Sequence, residues 1–456
     1  MKPLRISRKA YQKLLEWKNH HADRYALLLE GARRVGKTFL VQEFIEKEYA
    51  SSIYIDFSLK TSLATAARKA FSEEPDVKSL LERLGLIYGV KLIPGKSCLA
   101  FDEIQRFPAA REMIKSFVAY GKYHYLESGS LVGIKENTKD IVIPSEEHSL
   151  KLFPIDFEEF LSAVNEEPLA MAIREAFDRH IPLPKDIHEK ALHLFRSYLV
   201  IGGMPQAVTA YLQGDDDRLQ RAEFAKREIL ALYDKDIGKY AKGYASKVRA
   251  LFHLIPSALK TREKRFQLAD LDSNARTRRY ENAFLWLSDA MLVNLAYNAG
   301  SPELGLEMNL ESTLFKCYSL DTGLLVTQAL TGETAVDGRL LRGILYDNLG
   351  INEGMFFESA VAQALTANGH PLFFFSRGTS PETGNGPMEI DFLFRHGIKI
   401  CPVEVKSGQF RRHASLDRFI RCYPHRLGAK YVICAGNLEI TREVTYLPAY
   451  MAHLLE

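Results

Sequence analysis

The sequence predicts an α/β protein that begins with a parallel sheet, passes through a mostly helical stretch and ends in a second, smaller α/β unit. Three observations carry this. Over the first 165 residues, short apolar runs rich in aromatic and branched residues alternate with helical patterns. From about Pro168 to Ala296 the apolar residues keep mostly helical spacing, and after Gly354 strand-like runs return. At 456 residues the chain exceeds what one hydrophobic core can hold, and 46% apolar residues are enough to fill several. The expected divisions are 1–165, 166–345 and 346–456.

The first division contains four strands: "RYALLLEG" (24–31), "SSIYIDFS" (51–58), "KSCLAFDEI" (96–104) and "KYHYLESGS" (122–130). Strands apolar at nearly every position, with helices such as Thr38 to Tyr49 between them, imply a parallel sheet covered on both faces. In the middle division "LFRSYLVIGGMPQAVTAYL" carries a Gly-Gly break and "REILALYDKDIGKYAK" reads as a charged amphipathic helix. "FQLADLDSNARTRRYENAFLWLSDAMLVNLAYN" has the order of a winged helix: a small helix, a turn, a longer helix with Ala283, Phe284, Leu287, Ala290 and Met291 at helical spacing, then a β-like return. Lys260, Arg262, Lys264, Arg265, Arg276, Arg278 and Arg279 would supply phosphate contacts if that motif lay on DNA. The last division reads as a helix near 356–368, the strands "LFFFS", "MEIDFLFR" and "KICPVEVKS", a helix near 415–422 and the strand "AKYVICAG". A loop, Gly378 to Pro387, separates the first two of those strands.

Composition narrows the class. Lys+Arg 60 against Asp+Glu 57 leaves a net charge of +3, which excludes a histone-like or polyanionic chain. Five widely spaced cysteines without a CxxC pair suggest neither a disulfide framework nor a zinc site, and fit a reducing cytoplasm. The basic N-terminus lacks a following apolar segment, and no apolar run approaches the ~18 residues of a membrane span.

Gly31-Ala32-Arg33-Arg34-Val35-Gly36-Lys37-Thr38, followed by Phe39, fits G-x-x-x-x-G-K-[ST] between a strand and a helix. Glycine is needed because successive N–H groups must turn inward around phosphates, and a Cβ would block their approach. Lys37 would neutralise the β- and γ-phosphates, and the Thr38 hydroxyl would coordinate Mg²⁺. "CLAFDEIQ" places Asp102 and Glu103 at the C-terminal end of a buried strand, where α/β sheets bind ligands. Asp102 would hold Mg²⁺ and Glu103 would orient and deprotonate the attacking water. After the next strand, either Ser128 or Ser130 would contact the γ-phosphate or that water.

With "GARRVGKT", "FDEIQ", "ESGSLVG", "LFPIDFEEFL", "YLVIGGMPQAV", "YDKDIGKY" and "FKCYSLDTGLL" in this order, the chain from about Lys13 to Gly436 resembles prokaryotic AAA-type ATPases that carry a C-terminal domain of unknown function. The resemblance implies ATP and Mg²⁺ as ligands and a cytoplasmic ATPase. It gives Lys37, Thr38, Asp102 and Glu103 the nucleotide and Mg²⁺ roles and Ser128 the sensor position, and it also implies the winged helix. Many members carry a Gly-Arg pair before the "L.PLSF" stretch, where this chain has "EEHSLKLFPIDF". Arg34, Arg106 and Arg111 are then the candidates for an arginine acting on a neighbour's site, which leaves room for a homo-oligomer.

"EIDFLFRHGIKICPVEVKSG" adds a second constellation. Asp391 lies in one strand, and Glu404 and Lys406 lie two apart in the next, so the last two project from one face. The arrangement resembles the restriction-endonuclease-like fold, in which such acids bind Mg²⁺ and the lysine orients the hydrolytic water; Glu358 matches the additional acidic position. Charges on a sheet buried on both sides require either such a site or pairing with one another. Two functions follow as expectations. Nucleotide state repositions the C-terminal domain on DNA, which is held or cut; alternatively, the chain is an ATP-dependent switch acting on a protein partner, with the nuclease-like domain inactive and used for docking.

Overall fold

A computed structural model describes residues 6–134, 143–260, 277–330, 353–378, 387–408 and 410–455. They divide into two compact units, one of Ser7–Phe153 with Asp289–Met291, the other built mainly from Pro154–Ser288 and Leu292–Glu456.

The first unit is a five-stranded parallel sheet in the order β2-β3-β4-β1-β5, with β1 Ala26–Glu30, β2 Ser51–Asp56, β3 Ser97–Asp102, β4 His124–Gly129 and β5 Glu147–Lys151. Strand periodicity sorts the apolar residues onto its two faces. Leu27, Leu29, Cys98, Ala100 and Leu126 pack with Leu14 and Trp17 of helix Ala10–His20 and with Leu40 and Phe44 of helix Lys37–Glu48. Ala26, Leu28, Leu99, Phe101 and Tyr125 pack beneath helices Ser62–Glu73, Val77–Tyr88 and Ile114–Tyr120. The four strands expected from the sequence are β1 to β4. Strand β5 was not foreseen, because "EHSLK" has one apolar residue and lies at the sheet edge, where a strand needs no apolar alternation to pair on its one inner side.

The second unit is helical from Phe157 to Lys260, beginning with a capping box in which Glu159 N donates to Asp156 Oδ1 at 2.8 Å and Asp156 N to Glu159 Oε2 at 3.1 Å. Its Gly-Gly break is explained by a distant aspartate. Asp321, fully buried, accepts from Gly203 N at 2.6 Å and caps helix Thr322–Ala329 through Leu324 N at 2.9 Å. Gly202 has φ +81°, and a Cβ there would stand 2.3 Å from Asp321 Oδ1. Thus "YLVIGGMPQAV" and "SLDTGLL" are two halves of one buried joint, to which Lys226 adds a hydrogen bond to Val200 O at 2.7 Å.

An eight-stranded mixed sheet follows, in the order β12-β13-β11-β10-β9-β8-β6-β7. Its strands are β6 Val293–Ala299, β7 Leu310–Ser319, β8 Leu372–Arg377, β9 Met388–His396, β10 Lys399–Lys406, β11 Tyr431–Cys434, β12 Glu439–Ile440 and β13 Thr445–Pro448. Helix Glu353–Ala367 precedes β8, and helix Ala414–Cys422 lies between β10 and β11, the element order read from the sequence. The β-like return expected of the winged helix is β6, which follows helix Thr277–Asp289, pairs with β7 and joins the sheet by parallel pairing to β8. Residues 261–276, with Arg262, Lys264, Arg265 and Arg276, lie outside the described residues, as do the side chains of Arg278 and Arg279 and loop residues 379–386. None of the five cysteines forms a disulfide. No described helix is long and apolar enough to cross a membrane.

Candidate nucleotide site

The loop between β1 and helix Lys37–Glu48 turns because Arg34 and Gly36 adopt positive φ, +67° and +101°. At Gly31 a Cβ would stand 2.5 Å from Leu152 O, so only glycine lets the loop start against the chain leaving β5. Arg8 braces the loop from outside, its guanidinium donating to Val35 O at 3.0 Å and Phe153 O at 2.6 Å. Nothing in the sequence marks that role. Ala32 and Val35 are buried, Arg33 and Phe39 are half-buried, and Arg34 and Thr38 face solvent.

Lys37 is 5% exposed and curls back over the loop, donating to Gly31 O and Ala32 O, each at 2.8 Å. Burial pulls its ammonium down to about 8, against the opposing pull of Glu103 and Asp102. The lysine therefore sits between two loop carbonyls and within reach of the charges of Glu103 and Asp102.

Asp102 is the hub of the site. Its Oδ2 accepts from Thr38 Oγ1 at 2.7 Å and from Tyr54 OH at 2.6 Å; its Oδ1 accepts from Ser128 Oγ at 2.5 Å and from Glu103 N at 2.9 Å. Glu103, just past the strand, is held at φ +52°, a conformation that costs a non-glycine residue of order 1 kcal/mol. Its carboxylate accepts from Gln105 Nε2 at 2.6 Å and from Ser130 Oγ at 3.3 Å. The two serines left open by the sequence thus divide: Ser128 reaches Asp102 and Ser130 reaches Glu103. Two further participants were missed. Tyr54 shares the face of β2 that Asp102 occupies on β3, a relation that the period of two could have revealed. Gln105 lies within "FDEIQ" but in a 3₁₀ turn, Ile104–Arg106, where spacing says nothing of direction.

The candidate arginines separate as well. Arg34 is exposed on the loop, and Arg106 lies 3.8 Å from Glu103. Arg111 is neither a surface residue nor aimed outward: it is 4% exposed and makes a bidentate pair with Glu147 of β5, at 2.9 and 2.7 Å. Beside them Glu127 of β4 is fully buried next to Glu147, and burial together with the Glu147 charge pushes its carboxyl well above the ordinary range.

The C-terminal acids also come together, on the face of the second sheet that meets helix Glu353–Ala367. Asp391 Oδ2 accepts from Val405 N at 2.8 Å, and Lys406 Nζ lies 2.7 Å from Glu404 Oε1. Burial, and then the Asp391 charge, push Glu404 up to about 7. Glu358 accepts from Tyr318 OH at 2.5 Å. A residue absent from the sequence expectation, Lys316 of β7, enters this group from the far edge of the sheet. Among the described residues, no group of three or more His, Cys, Asp or Glu is arranged to hold a metal ion.

Comparison with known proteins bears on the first unit as a whole. Residues 23–161 match the family model described as AAA domain, and the five-stranded parallel sheet with its helices fits a P-loop fold of the AAA type. Residues 353–451 match a domain of unknown function, DUF4143, and residues 192–335 another, DUF8612. No curated protein matches the chain in sequence. Among solved structures, the crystal structure of Cdc6p from Pyrobaculum aerophilum is 12% identical, with 76% of this chain and 97% of that one covered and a TM-score of 0.30. Drosophila ORC bound to DNA is 14% identical over 74% of this chain and 98% of that one, with a TM-score of 0.27. A STAND protein with a tetratricopeptide repeat sensor from Pyrococcus horikoshii is 10% identical over 80% and 48%, also with a TM-score of 0.27.

Proposed function

We propose that the N-terminal unit binds ATP with Mg²⁺ and hydrolyses it. The convergence of Lys37, Thr38, Asp102, Ser128 and Glu103 at the C-terminal ends of β1, β3 and β4 carries this reading. The N–H groups of residues 31–39 bind the phosphates, and Lys37 exchanges its two carbonyl partners for phosphate oxygens. Thr38 and Asp102 are the residues that would hold Mg²⁺, which when bound offsets the charge of the β- and γ-phosphates. Ser128 and Tyr54 hold Asp102 in one orientation. Glu103, fixed by Gln105 and Ser130, accepts the proton of the attacking water.

A phosphate-release assay tests the assignment. Glu103→Gln should retain ATP and lose at least about 100-fold in turnover, the scale of a lost general base; Lys37→Ala should lose retention of ATP. Undiminished turnover in the first variant, or equal retention in the second, would refute it. The work done with that energy is read as engagement of the C-terminal domain, with DNA or with a protein partner. Stimulation of phosphate release by added DNA supports the former, and turnover indifferent to DNA supports the latter.

A further inference from the structure

The acids of the second sheet are the set that would be expected to hold Mg²⁺, and their surroundings decide against that use. Lys316 is fully buried. Its Nζ stands 3.0 Å from Glu389 Oε1, 3.5 Å from Glu358 Oε1 and 3.8 Å from Asp391 Oδ1, and 5.0 Å from the centre of the Phe374 ring. An ammonium within 4 Å of three carboxylates already supplies the positive charge a cation shared by Glu358 and Asp391 would bring, and Mg²⁺, which needs its oxygens at about 2.0–2.1 Å, would have to compete with it for them. The other lysine, Lys406, is spent on Glu404 Oε1, and Asp391 Oδ2 on the backbone of β10. Among these acids Glu404 Oε2 alone is buried without a hydrogen-bond partner, but the other oxygen of Glu404 is held by Lys406 and Asp391 lies between the backbone of β10 and the Lys316 ammonium, so the set does not fit a divalent metal.

We infer that Lys316 is the resident cation of this cluster, and that the C-terminal domain keeps the acids of a nuclease-like site as a metal-independent core in which a lysine from β7 takes the place of the metal. The physical argument is one of charge. Buried carboxylates on one sheet face repel one another and must be neutralised by something. A divalent ion does so reversibly and leaves positions open for water, whereas a lysine on a strand of the same sheet does so permanently and leaves no site for an attacking water. The source of the lysine matters too. β7 joins this sheet only through β6, so the strands preceding residue 331 are part of the device. The inference stands apart from the ATPase reading, and its failure would leave that reading untouched.

The test is a Mn²⁺ titration of the full-length protein without nucleotide, followed by the paramagnetic signal of free Mn²⁺, on wild type, Asp391→Asn, Lys316→Met and the double variant. The expected result is identical titrations for wild type and Asp391→Asn, at least tenfold tighter uptake of one Mn²⁺ by Lys316→Met, and loss of that gain in the double variant. A Mn²⁺ site in the wild type that Asp391→Asn abolishes would overturn the inference. So would metal-dependent nicking of plasmid DNA that Asp391→Asn abolishes, or a folded Lys316→Met protein that gains no site. If Lys316→Met does not fold, the comparison of wild type with Asp391→Asn decides alone.

Discussion

Gln105 shows how much of the candidate site depends on residues that do no chemistry themselves. It donates to Glu103 at 2.6 Å, and it can lie there because residue 129 is glycine: a Cβ at Gly129 would stand 2.4 Å from Gln105 Oε1. Two substitutions should therefore have one effect. Gln105→Leu removes the hydrogen bond, and Gly129→Ala displaces the side chain that makes it. Each should lower kcat for ATP hydrolysis by about 10-fold or more, with KM changed little, because outer residues act through the group they orient. Steady-state kinetics separates this from lost binding, which would raise KM instead. Glu103 is legible in the sequence because it follows a buried strand. Its positive φ and its two hydrogen-bonding partners are not, since they depend on where β4 ends relative to β3.

At the scale of elements, the network joining β4, β5 and helix Pro108–Glu112 is a liability placed in a core. Arg111 pairs with Glu147 at 2.7 Å, with both side chains 5% exposed. Arg111→Ala leaves Glu147 and Glu127 buried without a cation and should destabilise by about 3–5 kcal/mol. Glu127 predicts the opposite. Its folded-state pKa is raised above the unfolded value, so the folded form binds the extra proton, and stability falls as pH rises from the unfolded pKa toward the folded one. Glu127→Gln should thus leave stability unchanged near pH 4 and raise it at pH 8. Denaturant melts at the two pH values check the sign. A comparable dependence on exact geometry holds the Gly-Gly break: Asp321→Ala would strand the N–H groups of Gly203 and Leu324 and should cost about 2–4 kcal/mol.

For the whole molecule, nucleotide is the natural probe of how far the two units act as one. A ligand that binds only the folded state, at 100 times its Kd, adds about 2.7 kcal/mol to the stability of whatever unfolds with its site. Calorimetry with Mg²⁺ and a non-hydrolysable ATP analogue should raise the transition that contains residues 7–153, and Lys37→Ala should abolish the shift. If the transition of the second unit moves with it, the units are thermodynamically coupled.

The sequence by itself determined what rests on local order: the alternation that builds the parallel sheet, the strand-loop-helix setting of Lys37 and Thr38, the acidic pair after β3, and the succession of elements around Asp391 and Glu404. Those features depend on periodicity and on residues adjacent in the chain. Tertiary structure alone decided which distant side chains meet. It brought Asp321 to Gly203, Tyr54 to Asp102, Arg111 to Glu147, and Lys316 into acids on strands and a helix that come later in the chain, Glu358 and, beyond β8, Glu389 and Asp391. Nothing adjacent to the lysine between Phe315 and Cys317 marks it as a buried partner of distant acids. Only the pairing order of eight strands shows which way it faces, because side-chain direction is set by register, and register is set by the fold.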